Sequence, residues 1–159
     1  LQLALEFLGA PTRADQRVSK SPELSKSNPV CFETPSSFEI TWNGKKLIGS
    51  AQARKSGGVL QHGSLPLIGD LSRINLVLIY PTQSNRQQAG EKLLARAATL
   101  ESVLGRQVSW HAAAESFERA FSAIPDLDLV LSEPTQGELE MAEMLMRTKY
   151  ATSSWNERI

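Results

Sequence analysis

Two runs of strand character meet at Asn43-Gly44, and that dipeptide constrains this chain more than any other. Both residues tolerate positive φ, so Asn-Gly between such runs dictates a tight hairpin whose twist matches that of its strands. The run from Ser37 to Trp42 alternates, with Phe38, Ile40 and Trp42 on one face, and the run from Lys46 to Ser50 leaves the turn. Ala53 to Gly58 reads as a basic, glycine-ending loop, and Val59 to Leu67 as a third strand. Helical spacing governs the rest. Leu1, Ala4, Leu5 and Leu8 read as the last turns of a helix closed by Gly9 and Pro11. Leu93, Ala97, Leu100 and Leu104 form one apolar stripe stopped by Gly105, and Ala113, Phe117, Ala120, Phe121 and Ile124 form another stopped before Pro125. Leu127, Leu129 and Leu131 alternate as a short strand. Thr135 with Glu138 predicts a capping box for a last helix carrying Leu139, Ala142, Leu145, Met146 and Tyr150. The Leu, Phe and Met stripes are read as core. Strands followed by helices predict an α+β fold.

Composition then removes whole classes of function. At 159 residues the chain is long enough for one domain with a core. Seventeen Lys and Arg balance seventeen Asp and Glu, so the net basic face that wraps nucleic acid is missing and no nucleic-acid partner is expected. No apolar run approaches the roughly 20 residues that span a bilayer, and no signal-peptide pattern opens the chain, so no membrane partner is expected either. A single cysteine excludes a disulfide framework and a cysteine-based zinc site, and predicts a reducing, cytoplasmic setting. The chain carries no Walker loop, no G-x-G-x-x-G and no G-x-S-x-G elbow. His62 and His111 stand alone without acidic neighbours at ligand spacing, so no metal is expected. Trp42, Trp110 and Trp155 are too scattered for a base-stacking platform, and Glu138 and Glu140 read as solvated.

The residues that could carry chemistry lie between Cys31 and Asp70. A polar stretch from Thr12 to Pro29 predicts a mobile loop before Cys31. A thiol is the best neutral nucleophile when cations or backbone donors favour its anion, although a lone cysteine is more often a small buried hydrophobe. Lys46 starts the strand that holds Gly49 and Ser50, where an absent side chain lets a ligand approach the backbone. An ammonium there can polarise an acyl carbonyl or hold a phosphate. Lys45 should point to the opposite face, and the simplest reading of either lysine is a solvated hairpin charge.

The segments Pro29 to Ile40, Asn43 to Gln52 and Leu60 to Ser64, together with Lys149 to Asn156, resemble the biotin/lipoate protein ligase family. Lys46-Leu47-Ile48-Gly49-Ser50-Ala51 with His62-Gly63-Ser64 is the specific combination, and Cys31-Phe32-Glu33-Thr34-Pro35-Ser36 points to the cysteine-dependent octanoyltransferases of lipoate assembly. The resemblance implies a mixed β-sheet flanked by helices, with residues 1–159 forming the C-terminal larger part of one catalytic domain, 12–29 its mobile loop and 84–159 its helical part. It implies Cys31 as the nucleophile that takes octanoyl from acyl carrier protein as a thioester, and Lys46 as the residue that contacts the acyl carbonyl. Gly49, Ser50 and Ala51 would line the acyl pocket, with His62 and Gly63 beside them. The acceptor would be a lysine of a lipoyl carrier protein, such as glycine cleavage H protein or a lipoyl domain. No cofactor is expected for such a transferase. ATP and Mg would enter only if the chain were instead a lipoate ligase. The same residues also suit an amidotransferase working between carrier proteins, or a carrier-binding fragment without turnover.

One departure accompanies the resemblance. An Arg- and Gly-rich segment ending in an H-D pair, which forms the other pocket wall in the family, has no counterpart here. The chain also opens on Leu with no N-cap before it. Both features predict further polypeptide before Leu1, or a separate N-terminal fragment that completes the domain.

Overall fold

The computed structural model describes residues 1–15, 39–55 and 57–157. It divides into two compact units, Leu1–Pro125 and Asp126–Ile159. The first unit is built on an antiparallel sheet in the order β1-β2-β3-β4, comprising β1 (Arg13–Asp15), β2 (Glu39–Trp42), β3 (Lys45–Lys55) and β4 (Gly58–Ser64). Its helices are α1 (Gln2–Phe7), a 3₁₀ helix (Leu71–Leu76), α2 (Gln83–Arg96), α3 (Leu100–Leu104) and α4 (Trp110–Ser122). The fold is α+β, and its parallel element is an isolated bridge between Lys46 and Ala97.

The hairpin forms as its sequence demands. Asn43 and Gly44 take φ of 48° and 75°, the successive positive values of a primed turn. The register then slips, since Ile40 pairs with Ile48 but Thr41 pairs with Lys46, which leaves Leu47 with no partner across the ladder. An ordinary strand buries alternate residues. Here the slip turns Lys46, Leu47 and Ile48 inward in succession, and all three are buried. Leu47 joins Leu5 and Leu100 at 0 % exposure in the main core, with Ile40, Ala98, Val108 and Ala113 around them.

Polar contacts fix the helices on this core. Ser116 Oγ donates to the Ala4 carbonyl at 2.7 Å, tying α4 to α1, and Arg106 donates to the Leu8 carbonyl beyond the end of α1. The guanidinium of Arg119 lies 3.9 Å from the Phe7 ring centroid, a cation–π contact between the same two helices.

Several sequence expectations need correction. The basic loop expected over Ala53–Gly58 is the tip of a longer hairpin, because β3 runs to Lys55 and β4 begins at Gly58; pairing carries its polar residues as readily as a loop would. Residues 13–15, assigned to the 12–29 loop, form β1 against β2. Residues 16–29 lie outside the described residues. The stripe Leu93–Leu104 is two helices, because Ala97 turns extended to bridge Lys46 and Thr99 starts α3 with a capping box to Ser102. Both lysines of the hairpin escape the solvated reading. Lys46 is 9 % exposed, and Lys45 donates to the Leu94 carbonyl at 2.7 Å in the last turn of α2, where the helix dipole favours a cation.

The second unit holds α5 (Gln136–Leu145), a π-helical turn (Met146–Tyr150) and α6 (Ser153–Asn156). The Thr135–Glu138 capping box is present, with Glu138 accepting from the Thr135 N–H at 2.7 Å and from its hydroxyl at 2.8 Å. Leu127, Leu129 and Leu131 do not form a strand, since no ladder partner meets them among the described residues. The apolar stripe of α5 is not core, because α5 buries no residue.

These contacts make two outcomes measurable. Leu47→Ala should cost roughly 2–5 kcal/mol, the range for a fully buried leucine, and Gly44→Ala about 1–2 kcal/mol for its left-handed backbone; urea unfolding would show the order reversed if the turn rather than the core dominates. The hydrogen bonds from the Thr135 backbone and hydroxyl hold the Glu138 carboxyl below its ordinary value of 4.5. The charged carboxylate therefore stabilises the first turn of α5 fully above pH 4.5, and that stabilisation is lost as the pH falls through the depressed value. The Thr135 amide proton shift should titrate with a midpoint below 4.5, and a midpoint at or above it would show the box absent in solution.

Candidate active site

The long hairpin brings together the residues the sequence singled out. Its register pairs Gly49 with Ser64, Ser50 with Gly63 and Ala51 with His62. Alternation then divides them between two faces. Ile48 and Ser50 of β3 share one face with Gln61 and Gly63 of β4, and this face lines a cleft of about 260 Å³. Leu1, Leu65, Phe117 and Phe121 supply its apolar walls, and Ser64 completes the lining. Gly49, Ala51 and His62 fall on the opposite face, where Ala51 and His62 are exposed.

Gly63 leaves the cleft floor without a side chain at this position. A Cβ built there would stand 3.1 Å from the Gly49 carbonyl oxygen and 3.4 Å from the Ser50 Cβ. The neighbouring strand would have to give by a few tenths of an ångström to admit it. The cleft is smaller than the roughly 300–1,000 Å³ of drug-sized ligand sites, is mainly apolar, and offers the Ser50 hydroxyl and the strand backbone as polar groups.

Lys46 does not line this cleft. It is buried two residues before Ile48, which does, and its carbonyl accepts the Ala98 N–H at 2.9 Å. Cys31 lies outside the described residues. Among the described residues no three His, Cys, Asp or Glu side chains gather as a metal site, and no helix is long and apolar enough to cross a membrane. The cleft walls Leu1, Gln61, Leu65, Phe117 and Phe121 are not among the site residues expected from the sequence. Gln61 and Leu65 are within reach of sequence reasoning once Ser50 is set against Gly63, because same-face positions repeat every second residue. The two phenylalanines carry only a helical-core signal, and nothing in the sequence says that their stripe borders a cleft.

Comparison with known proteins places this geometry. An octanoyltransferase LipM of Moorella thermoacetica is 39 % identical over 159 residues, covering 99 % of this chain and 57 % of its own. Another from Brevibacillus brevis is 34 % identical over 158 residues, covering 99 % of this chain and 56 % of its own. The chain thus spans about half the length of the curated relatives it matches. In three dimensions it superposes on a bi-partite lipoate protein ligase from an archaeal lipoylation system, that of Thermoplasma acidophilum, with a TM-score of 0.73 at 23 % identity, covering 97 % of this chain and 52 % of that one. The hairpin, α2, α3, α4 and every lining residue of the cleft but Leu1 lie within residues 6–122, and over those residues the sequence matches the lipoyl protein ligase A/B catalytic domain. The chain belongs to the lipoyl protein ligase A/B catalytic domain family.

Proposed function

We propose that this chain is the C-terminal larger part of an octanoyltransferase catalytic domain, which moves octanoyl from acyl carrier protein to a lysine of a lipoyl carrier protein. The observation that carries this reading is the mainly apolar cleft of about 260 Å³ floored by the Ser50–Gly63 pair. The relatives named octanoyltransferase LipM support the choice of acyl group. For the carriers, the support is chemical: a thioester donor delivers acyl without separate activation, and an amide-forming acceptor must present an amine.

In this reading the Cys31 thiolate attacks the octanoyl thioester of the donor. The carbon–sulfur bond to the carrier breaks, the carrier thiol takes a proton, and octanoyl rests on Cys31. The amine of the target lysine then attacks that thioester, releasing the Cys31 thiol and losing a proton as the amide forms. One thioester replaces another in the first step, so the energy is conserved until the second. Lys46 and backbone N–H groups stabilise the oxyanion of both tetrahedral intermediates, and the apolar walls of Leu65, Phe117 and Phe121 hold the chain away from water. Gly49, Ala51 and His62, on the far face of the hairpin, support the backbone of that floor. Any segment that completes the pocket belongs to the rest of the catalytic domain.

Intact-mass spectrometry of the whole protein tests the reading. Mixed with octanoyl-acyl carrier protein, it should gain one octanoyl adduct that hydroxylamine removes, and Cys31→Ser should gain none. No adduct here, but acyl-adenylate formed from octanoate with ATP and Mg, would make the protein a ligase and leave Cys31 incidental; adduct formation only from an octanoylated lipoyl carrier would make it an amidotransferase. Silence in every mixture would leave a carrier-binding domain.

The cleft floor gives a second test. Gly63→Ala pushes a methyl against the Gly49 carbonyl and Ser50, so octanoyl uptake should slow by roughly tenfold, since sub-ångström misplacement of reacting groups already costs rate. Unchanged uptake by that variant would remove the hairpin from the acyl site.

A further inference from the structure

A second cleft of about 340 Å³ lies in the same unit, between the 3₁₀ helix Leu71–Leu76 and α2, away from the hairpin floor. Two hydrogen-bond donors line it without a partner. Asn75 is 3 % exposed, and its Oδ1 accepts from the Tyr80 hydroxyl while its Nδ2 is buried and unbonded. Arg86 sends Nη1 to Gln83 Oε1 at 3.4 Å, and its Nε is likewise buried and unbonded. Buried donors left unpaired cost on the order of 1–3 kcal/mol each, and buried polar groups in native structures are as a rule hydrogen-bonded. Both groups are N–H donors, so what they lack is an acceptor.

The surroundings narrow its chemistry. With Nη1 engaged by Gln83, the edge left unbonded includes Nε, and that edge can grip a carboxylate through two parallel hydrogen bonds. Glu91 lines the same cleft and accepts from Gln87 Nε2 at 3.0 Å. Its charge opposes any anion and a dianion about twice as strongly as a monoanion, so against a single arginine a phosphate is the poorer match. Leu76 and Leu94 complete the lining and give the occupant an apolar contact. Gly90 packs against this corner of the cleft, where a Cβ would make ordinary contact at 3.5 Å with Asn75 Nδ2 and with the Ser72 Cβ.

The structure assigns this cleft as a binding site for a carboxylate monoanion with a short apolar body, held by Arg86 Nε and Asn75 Nδ2. The site is independent of octanoyl transfer and shares no lining residue with the acyl cleft.

Side-chain NMR of the full chain tests it with hexanoate, hexanamide and inorganic phosphate as probes. Hexanoate should move the Arg86 Nε–H and Asn75 Nδ2–H₂ signals along one saturating curve. Hexanamide should bind about tenfold or more weakly, as should hexanoate to Arg86→Gln, the loss expected for a charge-assisted hydrogen bond. The Ser50 and Gly63 amide signals report the acyl cleft separately. The assignment fails if hexanoate leaves both side-chain signals in place, if it moves only Ser50 and Gly63, if hexanamide matches it, or if phosphate saturates the signals at lower concentration. Should Arg86→Gln not fold, the unsubstituted chain's own signals decide between these outcomes.

Discussion

The hydrogen bond from the Ala98 N–H to the Lys46 carbonyl holds the first unit together, because it is where sheet and helices exchange backbone contacts. Around it, Ala97 runs parallel to Lys46 as an isolated bridge. Leu100 and Glu101 then donate to the carbonyls of Pro66 and Leu67, just beyond β4. Residues 97–101 therefore act as an extra strand-like seam against the open end of the β3–β4 hairpin. The seam explains why one apolar stripe becomes two helices. A continuous helix would consume the Ala98 N–H internally, and the Lys46 carbonyl would then be buried without that donor.

The seam also gives Lys46 its place. A lysine at a hairpin start ordinarily keeps its ammonium in water, with only its stem against apolar neighbours. Here the register slip that leaves Leu47 unpaired draws Lys46 inward with it. Lys46 is therefore buried on a strand two residues from a cleft wall. Lys45 is held differently, its ammonium donating to the Leu94 carbonyl in the last turn of α2. Adjacent lysines thus differ: one fastens the hairpin to a helix, and the other is buried with the strand.

Much of this is legible in the residues themselves. Asn43-Gly44 fixes the turn, Gly9, Gly105 and Pro125 mark helix ends, and Thr135 with Glu138 announces a capping box, because each rests on local backbone chemistry. The longer reach of the hairpin is not, since charged and polar residues pair across a ladder without any periodic apolar signal. The slip at Leu47 is invisible for a related reason. It depends on what packs above the strand, and Leu5 and Leu100 lie more than forty residues away on either side. Among site residues, motif resemblance gathers Gly49 to Ala51 with His62 and Gly63 onto one hairpin, but only the register separates Ser50 and Gly63 from the others by face. Leu127 to Leu131 err the opposite way: alternation is a property of the segment, whereas a strand requires a partner.

The stretch after β4 carries the two clefts on one support. Gly63, Ser64 and Leu65 line the first. Pro66 and Leu67 then accept from α3, and Asp70 starts the 3₁₀ helix by accepting from the Ser72 N–H and hydroxyl. Those bonds, the hydroxyl foremost, hold the Asp70 carboxyl below its ordinary value, so it stays charged and keeps the cap made. Ser72 and Asn75 of that same helix line the second cleft. The backbone from Gly63 to Leu71 therefore passes from one site to the other with fixed anchors along the way. A hinge needs residues free to change φ and ψ, whereas this connection is fastened to α3 in its middle. Each cleft keeps its geometry because the segment between them is held by the seam that also holds Lys46.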